Sequence, residues 1–71
     1  MPYFVKWRLA ANDRLVEHYV SYGRLFDALD FGCAMLDQNP TEIWVEDEHG
    51  NRFAEKQRII DHYRQRGMLP L

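Results

Sequence analysis

The chain has 71 residues, of which 46% are apolar and 14% aromatic, with a formal net charge of −2 and one cysteine. This length suits a single small domain over residues 1–71, and the near-neutral charge argues against a general nucleic-acid coat protein. One cysteine excludes an internal disulfide and a multi-thiolate metal site, and the sequence contains no apolar run of about 18 residues. We therefore expect a soluble cytoplasmic protein with no membrane partner.

The segment YFVKWRLAANDRLVEHYVSY, residues 3–22, predicts a β-hairpin. A two-residue turn at Asn12-Asp13, both tolerant of positive φ, sets the predicted register. The resulting pairs are Leu9 with Val16, Arg8 with Glu17, Trp7 with His18, Lys6 with Tyr19 and Val5 with Val20. Alternation then makes one face of the hairpin apolar and the other mixed. The mixed face carries Phe4, Lys6, Arg8, Glu17, Tyr19 and Ser21.

The next segment, GRLFDALDFGCAMLDQNP, predicts a helix over residues 24–37. An apolar stripe recurs at helical spacing and consists of Leu25, Leu29, Gly32 and Leu36. The helix is expected to stop at Asn39-Pro40, because proline disfavours helical geometry in the residue before it. Glycine inside a helix lowers its stability, so we interpret Gly32 as a position of close packing against the sheet.

The segment IWVEDEHGNRF predicts a second hairpin, with a type I turn from Asp47 to Gly50. The predicted pairs are Asp47 with Asn51, Glu46 with Arg52, Val45 with Phe53 and Trp44 with Ala54. Strand neighbours point to opposite faces, so the polar cluster of Glu46, Asp47, Glu48 and His49 cannot converge on one ion. We interpret the cluster as turn chemistry and predict no metal site.

A second helix is predicted over residues 55–66, with Ile59, Ile60 and Tyr63 on its buried side and Gly67 as its left-handed cap. The order is then β-β-α-β-β-α, an α+β fold with a four-stranded sheet and two helices packed on one face. The sequence leaves open whether the second and third strands run parallel or antiparallel.

The sheet face away from the helices, termed the open face, is the main candidate for function. Three aromatic residues and three cations are expected to alternate there: Phe4, Tyr19, Trp44, Lys6, Arg8 and Arg52. Trp, Tyr and Arg commonly anchor protein interfaces, so we predict a non-catalytic protein that associates with itself, as a homodimer for example, or with another protein. The alternative is binding of single-stranded nucleic acid, which uses the same residue types for base stacking. Cross-strand pairing with no partner is a third interpretation.

A secondary basic stripe recurs every four residues along the last helix, at Arg58, His62 and Arg66. It either contacts phosphates or forms a solvated face whose positive end suits the helix terminus. An enzyme using Cys33 and His18 is the remaining class, since both could lie between the first helix and the sheet. Buried cysteines are mostly inert, and the sequence has no phosphate-binding loop or nucleophile elbow. We therefore predict no catalytic residues and no cofactor.

The second hairpin has the pattern I-x-V-x-D-x-x-G, carried by Ile43, Val45, Asp47 and Gly50. With the preceding hairpin and helix, residues 3–54 resemble small bacterial domains of unknown function built as hairpin, helix and hairpin. The resemblance implies that fold and no activity. The additional C-terminal helix departs from the simplest of these domains.

Overall fold

The computed structural model describes residues 2–66 of the chain. The elements in chain order are β1 (Tyr3–Leu9), β2 (Leu15–Glu17), α1 (Leu25–Met35), a 3-10 turn (Leu36–Gln38), β3 (Pro40–Asp47), β4 (Arg52–Ala54) and α2 (Lys56–Gln65). The predicted α+β fold with β-β-α-β-β-α order is confirmed. The expected cap at Gly67 lies outside the described residues. Within residues 2–66, neither helix combines the length and apolar character needed to cross a membrane.

The four strands form one antiparallel sheet in the order β2-β1-β3-β4. The sequence left open whether the second and third strands run parallel or antiparallel. Both β2 and β3 are antiparallel to β1, so they run parallel to each other on either side of it. Helix α1 leads from β2 past β1 to β3, so the two long strands pair at the centre of the sheet and the two three-residue strands form its edges. Short edge strands present few unpaired backbone groups to other chains.

The hydrophobic core lies between the two helices and one face of the sheet, termed the covered face. Its buried sheet residues are Val5, Trp7, Ile43, Val45 and Ala54. Leu29 of α1 and Ile59 of α2 pack against them, as predicted, together with Ala28 and Cys33 of α1. A Cβ added at Gly32 would lie 3.3 Å from Cδ1 of Ile59. The predicted close packing at Gly32 therefore exists, but it is against α2 and not against the sheet.

The predicted register of the first hairpin is wrong by two residues. Trp7 pairs with Val16 and Lys6 with Glu17, and a four-residue loop replaces the two-residue turn at Asn12-Asp13. The loop is closed by the backbone N–H of Leu9, which donates to the carbonyl of Arg14 at 3.0 Å. A shift of two residues preserves the side-chain faces, so Val16 still packs on the core while the charge partners change.

The second hairpin follows its predicted register at the turn and departs from it further along. Glu46 pairs with Arg52 as expected, but Val45 pairs with Ala54, and the bulge leaves Phe53 half exposed. The type I turn is confirmed, since the N–H of Gly50 donates to the Asp47 carbonyl at 3.1 Å and the central residues Glu48 and His49 both have negative φ. The fourth residue, Gly50, has a φ of 82°. Gly is favoured at such positive φ because it lacks a Cβ.

Candidate functional site: the open sheet face

The register brings opposite charges together on the open face. Phe4, Lys6 and Arg8 of β1 lie opposite Glu46, Trp44 and Glu42 of β3. At the edges, Glu17 of β2 lies opposite Lys6, and Arg52 of β4 lies opposite Glu46. Five of the six predicted partner-binding residues therefore share this face. Tyr19 is the exception, because it follows the end of β2.

Trp44 lies on the open face, yet only 5% of its surface is exposed. Its indole Nε1 donates to Oε1 of Glu46 at 2.8 Å. The guanidinium of Arg52 lies over the ring, 4.0 Å from the ring centroid, as a cation–π contact. Charged side chains thus cover this aromatic ring, and the expectation that Trp44 is displayed for a partner is wrong.

Each predicted cation of the open face has a carboxylate partner. Lys6 Nζ lies 3.0 Å from Glu46 and 3.3 Å from Glu17. Glu42 lies between two arginines, 3.4 Å from Nε of Arg8 and 3.7 Å from Nη1 of Arg52. Three cations and three carboxylates leave this network with no surplus positive charge.

The ion pairs shift the pKa values of two members of the network. The hydrogen bond to Glu46 is the main cause that raises the pKa of Lys6 above its ordinary value, although burial alone would lower it. For Glu46, burial alone would raise the pKa, but hydrogen bonds from Trp44 and Lys6 outweigh burial, so the pKa is lowered. Both shifts favour the charged forms, and the two groups therefore stabilise one another at neutral pH.

A depression of about 510 Å³ lies at the end of the open face where β1 begins. Its lining residues are Phe4, Lys6, Glu17, His18, Tyr19, Glu46, Asp47 and Glu48. The volume falls within the range of roughly 300–1,000 Å³ that is typical of ligand sites. This depression brings together three predicted partner-binding residues, Phe4, Lys6 and Tyr19.

Tyr19 is 91% exposed because the chain leaves the ladder directly before it. The last regular contact is the N–H of His18 donating to the Val5 carbonyl at 3.0 Å, and pairing resumes at Tyr22 with Tyr3. The imidazole of His18 stacks on Phe31 with 4.0 Å between ring centroids, which fixes the backbone beside Tyr19. The expectation that Tyr19 is a strand residue opposite Lys6 is therefore wrong, while its exposure exceeds what that register implied.

Asp47, at the edge of the depression, stabilises its own turn. Its Oδ1 accepts hydrogen bonds from the N–H groups of His49 at 2.8 Å and Asn51 at 2.9 Å. Burial by itself would raise the pKa of Asp47, but these backbone hydrogen bonds lower it overall. Among residues 2–66, no three His, Cys, Asp or Glu side chains are grouped so that they could hold a metal ion.

The secondary basic stripe is not a continuous solvated face. His62 is buried, and its Nε2 lies 2.8 Å from Oδ1 of Asp30 on α1. Arg66 binds the same carboxylate, with Nε at 3.2 Å and Nη2 at 3.4 Å. Asp30 thus joins the two helices through two members of the stripe, of which His62 is buried while Arg66, like Arg58, remains exposed.

Cys33 and His18 are held by different partners. The thiol of Cys33 is buried and donates to the carbonyl of Ile59 at 3.5 Å, whereas the His18 ring stacks with Phe31 and Tyr22. Burial raises the pKa of the Cys33 thiol, with a smaller contribution in the same direction from the Asp30 charge. A raised pKa keeps the group as a neutral thiol, which is a poor nucleophile.

Sequence reasoning missed Glu42 and Asp30, and it named Glu48 only as part of the turn. Glu42 neutralises two arginines, Glu48 lines the depression, and Asp30 partners the basic stripe. The spacing of Glu42, Trp44 and Glu46 places all three on one strand face, so alternation alone could have identified Glu42. Asp30 lies on another helix and has no such local signal.

The chain matches no known protein family, no curated protein and no solved structure. The geometry above is therefore the basis for any functional proposal.

Proposed function

We propose that the protein is non-catalytic and works by protein–protein association, with itself or with another protein, through the open face around Phe4 and Tyr19. The observation that carries the proposal is the pairing of a nearly fully exposed Tyr19 ring with an adjacent depression on a sheet face that no element of the described chain covers. Tyrosine is enriched at protein interfaces because its ring offers a large contact area at a low entropic cost.

The proposal narrows the predicted surface to one end of the open face. Trp44, Arg8 and Arg52 are engaged with one another or with Glu42 and Glu46, so they support the sheet beneath the contact surface. Phe4 and Tyr19 are the aromatic residues that line the depression. A buried Cys33 thiol suits the reducing cytoplasm, which is the compartment we propose for this role.

Single-stranded nucleic acid is the alternative ligand class, and the charge of the surface weighs against it. Binding to phosphates draws its affinity from unneutralised Lys and Arg side chains. On the open face Lys6, Arg8 and Arg52 are each within ion-pair distance of a carboxylate. We expect no salt-dependent rise in the anisotropy of a labelled oligodeoxythymidine when the protein is added at low ionic strength. A rise that Arg8→Gln removes would favour nucleic acid instead.

Two experiments together test the association. Light scattering on a sizing column, over a range of protein concentrations, reports whether the protein associates with itself. Selection of random peptides displayed on phage, against the immobilised protein, reports whether the surface binds other protein segments. We expect Tyr19→Ala to reduce whichever form of association is found, because it removes the most exposed aromatic side chain of the surface.

Phe26→Ala is the matched control. Phe26 is also an exposed aromatic residue, with 50% of its surface accessible, but it lies on α1, on the other side of the sheet. The proposal requires Phe26→Ala to keep the association that Tyr19→Ala loses. A monomer that enriches no peptides, or association that depends on Phe26 and not on Tyr19, would contradict it.

A further inference from the structure

The lining of the depression has a pronounced negative charge. It contains four carboxylates, from Glu17, Glu46, Asp47 and Glu48, and one ammonium, from Lys6, which gives a formal charge of −3 with His18 neutral. The negative charge is local, because the rest of the ion-pair network on the open face, Arg8, Arg52 and Glu42, has a formal charge of +1.

The depression also has more free hydrogen-bond acceptors than free donors. The ammonium of Lys6 is already shared between Glu17 and Glu46. The carboxylates of Glu17 and Glu48 remain about half exposed, with 59% and 49% of their side-chain surfaces accessible. A carboxylate accepts up to about four hydrogen bonds, so these groups have acceptors to spare.

Aromatic rings form the remaining part of the lining. Phe4 is half-buried in the sheet, and Tyr19 is exposed at the rim. Aromatic faces attract cations through the ring quadrupole, and arginine in particular stacks on them. Acceptor-rich carboxylates beside aromatic faces complement a donor-rich cation, and they disfavour a phosphate or a carboxylate.

We infer that the depression receives the cationic side chain, arginine or lysine, of a separate protein that docks on the open face. The inference rests on the proposed function and adds the chemistry of the partner. The guanidinium or ammonium lies between Tyr19 and Phe4 and donates to Glu17 and Glu48. The ion pair of Lys6 stays in place beneath it.

The test is an NMR titration of the isotope-labelled protein with three small probes. These are the N-acetyl N-methylamides of arginine, lysine and citrulline, the last being nearly isosteric with arginine but neutral. We expect arginine and lysine to shift the amide signals of residues 4–6, 17–19 and 46–48, and to bind about fivefold more tightly than citrulline. The double variant Glu17→Gln, Glu48→Gln is expected to remove that difference.

Asp37→Asn is the control, since it removes an exposed carboxylate from the 3-10 turn that follows α1 and lies away from the depression. It should leave the preference for cations unchanged. Equal binding of arginine and citrulline, or shifts outside these three segments, would overturn the inference. Because the probes are single residues, either result would overturn the cation site without overturning the association through Tyr19, which peptide selection tests separately. A dimer in light scattering that the two glutamine substitutions dissociate would assign the cation to a second copy and overturn the separate partner.

Discussion

The two tryptophans of this protein lie on opposite faces of one sheet, and each is only 5% exposed. Trp7 is buried in the core under α1, where Phe31 packs near it at a centroid distance of 6.1 Å. Its Nε1 has no hydrogen-bond partner among the described residues. Trp44 is covered by charged side chains and its Nε1 is hydrogen-bonded to Glu46. Equal burial therefore arises from rigid apolar packing on one face and from flexible charged cover on the other.

The comparison also separates folding from function. The covered face holds the apolar core between the sheet and the helices. On the open face, balanced charged side chains cover Trp44, and the end around Phe4 and Tyr19 is where we propose that a partner binds.

The largest effect is expected from truncating each tryptophan to alanine. Trp7→Ala should lower the free energy of unfolding by about 3–5 kcal/mol, because a rigid core leaves a cavity. Trp44→Ala should cost less, because the long side chains of Lys6 and Arg52 can collapse over the space. Urea unfolding followed by circular dichroism measures both. Since a chain of this length has only about 4–10 kcal/mol of stability, Trp7→Leu serves if Trp7→Ala does not fold. A larger loss at Trp44 would contradict the contrast.

Replacing each tryptophan with phenylalanine should reverse the order of the two losses in unfolding free energy, so that the change at Trp44 is the larger. Trp44→Phe removes a hydrogen bond to a carboxylate, which is worth about 1.5–3 kcal/mol. Trp7→Phe creates a small cavity, but it also removes a buried donor that has no partner. Removing that donor stabilises the folded state by about 1–3 kcal/mol, which offsets the cost of the cavity. We therefore expect Trp44→Phe to be the more destabilising of the two in the same urea experiment. If Trp7→Phe lowers the free energy of unfolding more than Trp44→Phe does, Nε1 of Trp7 has a hydrogen-bond acceptor, and this difference between the two tryptophans is wrong.

Acid should weaken the charged cover. The pKa of Glu46 is lowered in the folded protein from an ordinary value of 4.5. A lowered carboxyl pKa means that the stabilisation is complete above the unfolded-state pKa and is lost as the pH falls through the folded-state pKa. The difference in unfolding free energy between wild type and Glu46→Gln should be constant from about pH 7 to pH 5.5 and shrink below about pH 4.5.

Urea titrations at a series of pH values check this dependence. Asp37→Asn, which changes an exposed carboxylate outside the network, is the matched control. A Glu46→Gln difference that persists unchanged to about pH 3 would mean that the Glu46 charge does not hold the cover in place.

The smallest effect on stability is expected from Tyr19→Ala. Its side chain is almost fully exposed, and exposed substitutions usually change the free energy of unfolding by about 0.5 kcal/mol or less. Unchanged stability together with lost association would show that Tyr19 serves binding and not folding. A large loss of stability would place Tyr19 among the residues that maintain the fold.

The sequence predicted which face of the sheet each strand residue occupies better than it predicted the partners of that residue. Alternation placed Val5, Trp7 and Val45 on the covered face and Lys6, Arg8 and Trp44 on the open face, as observed. A shift of two residues leaves alternation unchanged, so the pattern could not reveal the four-residue loop of the first hairpin. The expected pair of Arg8 with Glu17 was therefore replaced by Lys6 with Glu17.

The candidate site was harder to predict, because it depends on departures from regular strands and on long-range partners. The chain leaves the ladder after Glu17, and that departure turns Tyr19 outward and forms one wall of the depression. Likewise, the spacing of His62 and Arg66 predicts a basic stripe on the surface of the helix, whereas in the structure both side chains bind Asp30 of α1. Neither feature has a local sequence pattern, since each depends on how separate segments pack.

The most direct test of the account is to locate where a protein partner binds. The backbone amide signals of the labelled protein would be followed while a selected peptide is added, or during dilution if light scattering shows self-association. We expect the largest shifts in residues 4–6, 17–19 and 46–48, around the depression. Shifts centred on α1 and α2, near Phe26 and Arg58, would contradict it by placing the binding surface on the helical side of the molecule.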